Sequence, residues 1–141
     1  MILCDNNIDN REKIKMQLNE LLQHKPKFKL ITKYSNILNP SWSEIEYAIE
    51  SCKTFDKNNF CVLSMIEINS FIQCCRQDDL WRLEIHFAGS DKNFVHYGIK
   101  DNTNDNGLLD DESLVRKVFQ DFFYGCYDFK GIQWIEYRWN K

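Results

Sequence analysis

LVRKVFQDFFYGCYDFKGIQWIEY, running from Leu114 to Tyr137, decides the reading of this chain, because it holds a helix, a stop and a strand in immediate succession. Leu114, Val115, Val118, Phe119, Phe122 and Phe123 recur at helical spacing and make one apolar face. Asp110 or Asp111 can cap the start, and Gly125 supplies the left-handed residue that ends it. Ile132-Gln133-Trp134-Ile135-Glu136-Tyr137 then reads as an aromatic strand. Burying the six helix side chains, at roughly 1.5–3 kcal/mol each, makes this helix a main contributor to the core before chain entropy is subtracted. No catalytic group stands in a working arrangement within the stretch.

Upstream, the pattern is that of strands. Phe60–Ile68, Ser70–Cys75, Trp81–Ala88 and Phe94–Lys100 each have a periodicity near two, with turn residues Gln77-Asp78-Asp79 and Gly89-Ser90-Asp91 between some of them, which predicts a mostly antiparallel meander. With residue 91 at the centre of the last turn, Leu83 faces Ile99, Ile85 faces Tyr97 and Phe87 faces Val95. Glu84, His86, Phe94 and His96 then share the other face, with His86 and His96 as cross-strand neighbours.

Nearer the amino terminus, Ser41 and Glu44 have capping-box spacing behind Pro40, and Trp42, Ile45, Ala48, Ile49 and Cys52 form one stripe, predicting a helix packed on the sheet. Lys27–Tyr34 alternates as a lysine-bearing, half-exposed strand suited to a sheet edge. Residues 9–23 predict a further helix, with Asp9 as cap, Ile14, Leu18, Leu21 and Leu22 on one side, and Pro26 ending it. No repeat or Gly/Ser linker divides the 141 residues, so the expectation is one α+β domain over 1–141: a twisted, mostly antiparallel β-sheet with about three packed helices.

Composition excludes several classes. A net charge of −3 and a pI near 5.6, with thirteen Lys scattered among the eighteen cations, argue against nucleic acid as partner. Six cysteines without C-x-x-C spacing, no signal peptide and no apolar stretch of membrane-spanning length predict a cytoplasmic chain with reduced thiols acting as small hydrophobes, and neither zinc nor a conventional disulfide. Cys74 and Cys75 fall on opposite faces of a strand. No nucleophile elbow, phosphate loop, His-Glu-x-x-His or dinucleotide fingerprint is present.

Two patterns invite chemistry. His86 and His96 across a hairpin, with Glu84 beside them, can serve as general acid and base, but no Lys or Arg cluster is placed to hold a phosphate, and a solvated or partner-facing pair is the plainer reading. Pairing Cys75 or Cys61 with His86 as nucleophile and base has no more specific support. Asp101–Glu112 has part of the oxygen-ligand spacing of a calcium loop, yet Asn106 occupies the position of the required glycine and a strand precedes it. No metal and no cofactor are therefore expected. Asp101, Asp105, Asp110, Asp111 and Glu112 remain as a dense acidic segment, read either as a solvated, helix-capping loop or as a surface that steers a basic partner.

Asn39-Pro40-Ser41-Trp42-Ser43-Glu44-Ile45 with its helix, the central strands, and Val118-Phe119-Gln120-Asp121-Phe122-Phe123 leading through Gly125 to Ile132-Gln133-Trp134 resemble the first-named immunity-protein family of bacterial polymorphic toxin systems, and the CdiI proteins that protect against contact-dependent growth-inhibition toxins. The resemblance spans 38–137, leaving 1–37 as an amino-terminal helix and strand outside it. It implies a non-enzymatic inhibitor that binds a cognate carboxy-terminal toxin domain, often a nuclease with a basic cleft, as a 1:1 heterodimer without nucleic acid, membrane or small-molecule substrate. The expected contact residues are Asp101, Asp105, Asp110, Asp111 and Glu112, aided by Glu84, His86 and His96, with Phe94, Trp139 or Tyr127 as aromatic anchors. The alternatives are a small histidine-dependent, RNase-like hydrolase and a general adaptor.

Overall fold

The computed structural model of the chain describes residues 26–54, 59–87, 94–100 and 107–138. Two short segments fix its first layer. The strand β1, Phe28–Thr32, buries Phe28 and Leu30, and turns back into the three-residue strand β2, Asn36–Leu38. Ser41 then starts helix α1, Trp42–Ser51, with both halves of the capping box made: Ser41 Oγ accepts from the Glu44 amide at 3.2 Å, and Glu44 Oε1 accepts from the Ser41 amide at 2.9 Å. The predicted stripe faces inward, with Ile45, Ala48, Ile49 and Cys52 buried and Trp42 packed against them.

Strands β3 (Phe60–Met65), β4 (Ser70–Gln77), β5 (Leu80–His86) and β6 (Phe94–Lys100) follow as the expected meander. Helix α2, Glu112–Tyr124, and strand β7, Ile132–Arg138, complete a single antiparallel seven-stranded sheet of order β2-β1-β3-β4-β5-β6-β7. Asp111 is the cap of α2, its carboxylate accepting from the Leu114 amide, and Gly125 ends the helix at φ 78°. Both helices cover one face of the sheet: α1 lies over β3, and α2 over β4 and β5, in contact with α1. The core between the layers runs from Phe28 and Ile45 through Leu63, Ile72, Leu83 and Phe119 to Trp134. Asp78 and Asp79, at φ 51° and 67°, form a two-residue turn of the mirror-image type that matches strand twist.

The fold is thus α+β, and it departs from the sequence reading in the helix count, the sheet edge, several strand ends and one register. Two helices, rather than about three, occur among the described residues, and segment 9–23 lies outside them. The edge strand is β2, because the lysine-bearing strand is paired on both sides. The third strand ends at Met65, three residues before its expected end at Ile68; β1 ends at Thr32 rather than Tyr34, and β4 runs past Cys75 to Gln77, a residue the sequence reading gave to the turn. The β5–β6 register is shifted by one: Glu84 lies opposite Tyr97 and Ile85 opposite His96.

Trp134 explains the shift. Gly98 stands opposite Trp134 on the helix-covered face, and a Cβ there would lie 3.2 Å from Trp134 Cζ3, so the glycine leaves the room that the indole fills. Tyr97 consequently belongs to the face opposite the helices, where the Arg82 guanidinium sits 5.2 Å from its ring centre. Among the described residues, no helix is long and apolar enough to cross a membrane.

Candidate functional site

A groove of about 590 Å³ opens between the β1–β2 hairpin and α1. Leu30, Ile37 and Ala48 supply its apolar lining, with Glu44, Tyr34 and Tyr47 alongside. Tyr34 is 70% exposed and Tyr47 76% exposed, so two large aromatic side chains project where the helix faces the hairpin. Exposed tyrosines bordering an apolar groove combine large contact area with few rotatable bonds, the composition favoured at protein interfaces.

The groove is held open by a buried amide. Asn59, 4% exposed, donates through Nδ2 to the Ser51 carbonyl at 3.1 Å and to Ser51 Oγ at 3.2 Å. Its Oδ1 accepts from the amides of Phe60 at 2.9 Å and Lys33 at 3.3 Å. One side chain therefore ties the end of α1 to the hairpin and to the start of β3.

The outward surface of α1 is acidic. Ser43, Glu44, Tyr47 and Glu50 are exposed and Glu46 half-exposed. Arg116 of α2 reaches Glu46 at 3.3 Å, Glu112 at 2.7 Å and Glu50, while Lys53 reaches Glu50 at 2.9 Å and Glu112 at 3.0 Å. Three carboxylates thus surround two cations, and Glu44 adds a further negative charge. Burial alone would raise the Glu112 carboxyl, but hydrogen bonds from Lys53 and Arg116 outweigh it and hold the group below the ordinary carboxylate range.

The eight residues singled out by sequence do not converge on one patch. Asp110 is exposed and Asp111 caps α2; with Glu112 they stand at that helix's start, joined to the α1 surface through Lys53. Glu84 and His86 lie on the face of the sheet opposite the two helices. There Glu84 accepts from Gln73 at 2.7 Å, and His86, only 2% exposed, stacks on Phe71 at 5.6 Å and lies 3.3 Å from Asn69 Nδ2. His96 is opposite Ile85, so the register does not pair the two histidines. Asp101 and Asp105 lie outside the described residues, as do Trp139 and most of the calcium-like loop.

Tyr127 is half-buried against Phe87, at 5.6 Å, and Phe122, at 6.4 Å, so it belongs to the core margin. Nothing in the sequence alone singles out Tyr34, Tyr47 or Asn59; the nearest signal is a tyrosine among glutamates on the polar side of the predicted helix. Among the described residues, no group of three or more His, Cys, Asp or Glu is arranged to hold a metal ion. Comparison with known protein families, with curated proteins and with solved structures found no match to this chain.

Proposed function

We propose that the chain is a non-enzymatic immunity protein that acts in the cytoplasm by binding a cognate toxin domain and covering its active site or substrate cleft. The observation that carries this reading is the exposed pair beside an apolar groove: Tyr34 in the β1–β2 turn, and Tyr47 on a helix whose outer surface presents Glu44, Glu46 and Glu50. A nuclease toxin offers a basic cleft to such a surface. The tyrosines supply desolvated anchors, and Glu44, Asp110 and the one-charge excess of carboxylate over Arg116 and Lys53 accelerate encounter and set orientation. Asp110 and Glu112 then belong to the rim of the contact and the groove to its centre.

Co-expression of the full chain with the carboxy-terminal domain encoded immediately upstream tests the proposal, scored by growth rescue and by co-purification as a 1:1 complex. Replacing Tyr34 and Tyr47 together by Ala should weaken binding by about 30-fold or more, the effect of losing roughly 2 kcal/mol at an anchor. Asp110→Lys should mainly slow association at low salt. Absence of both rescue and complex with the unsubstituted chain would remove the reading. A complex indifferent to the tyrosines would keep immunity and move the contact elsewhere.

A further inference from the structure

The strand β2 closes one side of the sheet, and its hydrogen bonds fix which of its backbone groups are used. Leu30 stands opposite Ile37, and two bonds flank that pair: the Thr32 amide donates to the Ser35 carbonyl at 3.0 Å, and the Asn39 amide to the Phe28 carbonyl at 2.8 Å. Antiparallel pairs alternate between bonded and non-bonded positions, so Ile37 turns its amide and carbonyl to β1, while those of Asn36 and Leu38 point outward. The other side of β1 has the complementary phase, since the Ile66 amide bonds the Lys27 carbonyl at 2.9 Å and the odd residues of β1 serve β3. Among the described residues, nothing pairs with the outer edge of β2. Sheets commonly guard such an edge with a charge or a proline within the strand. Asn36, Ile37 and Leu38 include neither, and Leu38 is 65% exposed.

The groove beside this edge selects what can be added to it. Residues opposite each other in an antiparallel ladder share a face, so Ile37 lies with Leu30 on the helix side, and both line the groove. In a strand placed beyond β2, the residue opposite Ile37 takes the non-bonded position, where side chains stand closer, and its side chain enters the mouth of the groove. Glu44 is the one charged residue among the described lining residues. Its Oε1 accepts from the Ser41 amide at 2.9 Å, and no ion pair among the described residues neutralises it. Tyr34 and Tyr47 line the same groove, and the Lys33 ammonium already lies 5.6 Å from the Tyr34 ring centre, so this ring takes up cationic charge.

We infer that β2 is a docking edge that takes an extended segment of the partner as a further antiparallel strand, with a lysine or arginine of that segment opposite Ile37 and its charged end on Glu44. The inference rests on the groove being the contact surface proposed above, and adds how the partner is held there. The amides and carbonyls of Asn36 and Leu38 supply the backbone bonds, which are independent of partner sequence. The groove supplies the selection: the aliphatic stem of the added cation lies along Ile37, and its head meets a carboxylate bordered by two tyrosines. A second copy of the chain fits this edge less well. Two β2 strands paired about Ile37 satisfy the same backbone groups, but the two-fold axis relating them is perpendicular to the sheet. It sets both acidic α1 surfaces on one side and brings no cation to either Glu44.

The test is a magnetic-resonance titration of the isotope-labelled full chain with an end-blocked peptide of alternating threonine and valine that carries arginine at its centre. The amide signals of Asn36 and Leu38 should shift saturably, and that of Ile37 should move least. Glutamate at the centre should weaken binding about tenfold, and N-methylation of the two residues flanking the arginine should abolish it. Leu38→Pro removes one outward donor, leaves the bonds to β1 in place, and should weaken binding about fivefold or more. Glu44→Gln keeps the capping box and should remove most of the preference for arginine over glutamate. No saturable shift at Asn36 and Leu38, equal binding of the glutamate or N-methylated peptide, or a dimer of the chain that Leu38→Pro dissolves would each overturn the inference. The N-methylated peptide decides the matter even where a variant folds poorly. A toxin complex that forms on co-expression and is indifferent to Leu38→Pro would refute the docking edge and keep immunity, whereas peptide docking without any toxin complex would do the reverse.

Discussion

Replacing Gly98 by Ala tests the strand register that separates the two histidines, and the two registers predict effects of opposite sign. In the observed register the new methyl lies 3.2 Å from Trp134 Cζ3 and 3.3 Å from Ile132 Cγ2. Neither neighbour yields easily: Trp134 is fully buried with Phe129 edge-on at 5.6 Å, and Ile132 is 4% exposed. Overpacking of this kind costs about 1–3 kcal/mol. Removing a glycine from the unfolded ensemble returns roughly 0.4–1 kcal/mol, so the net loss is about 0.5–2 kcal/mol. Equilibrium urea unfolding, followed by tryptophan fluorescence, should show the midpoint falling by roughly 0.3–1 M at unchanged slope, given m near 2 kcal/mol/M. With the register shifted by one, Gly98 would stand on the face opposite the helices, away from Trp134, and alanine would raise the midpoint. An unchanged or higher midpoint therefore refutes both the packing of Trp134 over Gly98 and the register derived from it.

Asn59→Ala deletes all four hydrogen bonds of the amide clamp and should lower stability by about 2–4 kcal/mol, read from thermal unfolding; a loss below about 0.5 kcal/mol would show that the clamp is dispensable. Glu112 has a lowered folded pKa, so its contribution is complete above the unfolded value of roughly 4.3 and is lost as pH falls through the folded value; Glu112→Gln should flatten the acid limb of a stability-against-pH curve. The Tyr127 phenol is pushed up to about 12, first by burial and then by Cys126, so its contribution is complete below pH of roughly 10 and is lost as pH rises towards the folded value. Ultraviolet titration should show one phenol ionising late, and Tyr127→Phe should remove it; retention of the late phenol in that variant would contradict the assignment.

Elements with strong local signals were legible in the sequence. The capping box at Ser41, the stripe from Ile45 to Cys52, and the α2 face ending at Gly125 are set by side chains within one or two turns of each other, and all three occur as read. Cys74 and Cys75 also fall on opposite faces, one buried and one half-buried. Strand pairing is different, because register depends on a contact thirty-six residues away, Trp134 over Gly98, which the alternation of Tyr97 and Ile99 cannot reveal. The hairpin was hidden for a related reason: β2 is three residues long and exposed at both ends, too short to show alternation, and its pairing moves the edge away from the lysines of β1. The acidic residues around Asp110 were conspicuous as composition, whereas a groove lined by Leu30, Ile37 and Ala48 exists only once hairpin and helix are packed together.

Helix α1 joins these features into one device. Its inner stripe belongs to the core, its outer surface carries Tyr47 and the glutamates, and its last residue, Ser51, is held by Asn59 through both its carbonyl and its hydroxyl. Small movements at that end are therefore passed through the amide clamp to the groove. If partner binding uses the groove, Asn59→Ala should weaken binding of the toxin domain while leaving Tyr34 and Tyr47 in place. Unchanged affinity in a folded Asn59→Ala chain would separate the clamp from the contact surface.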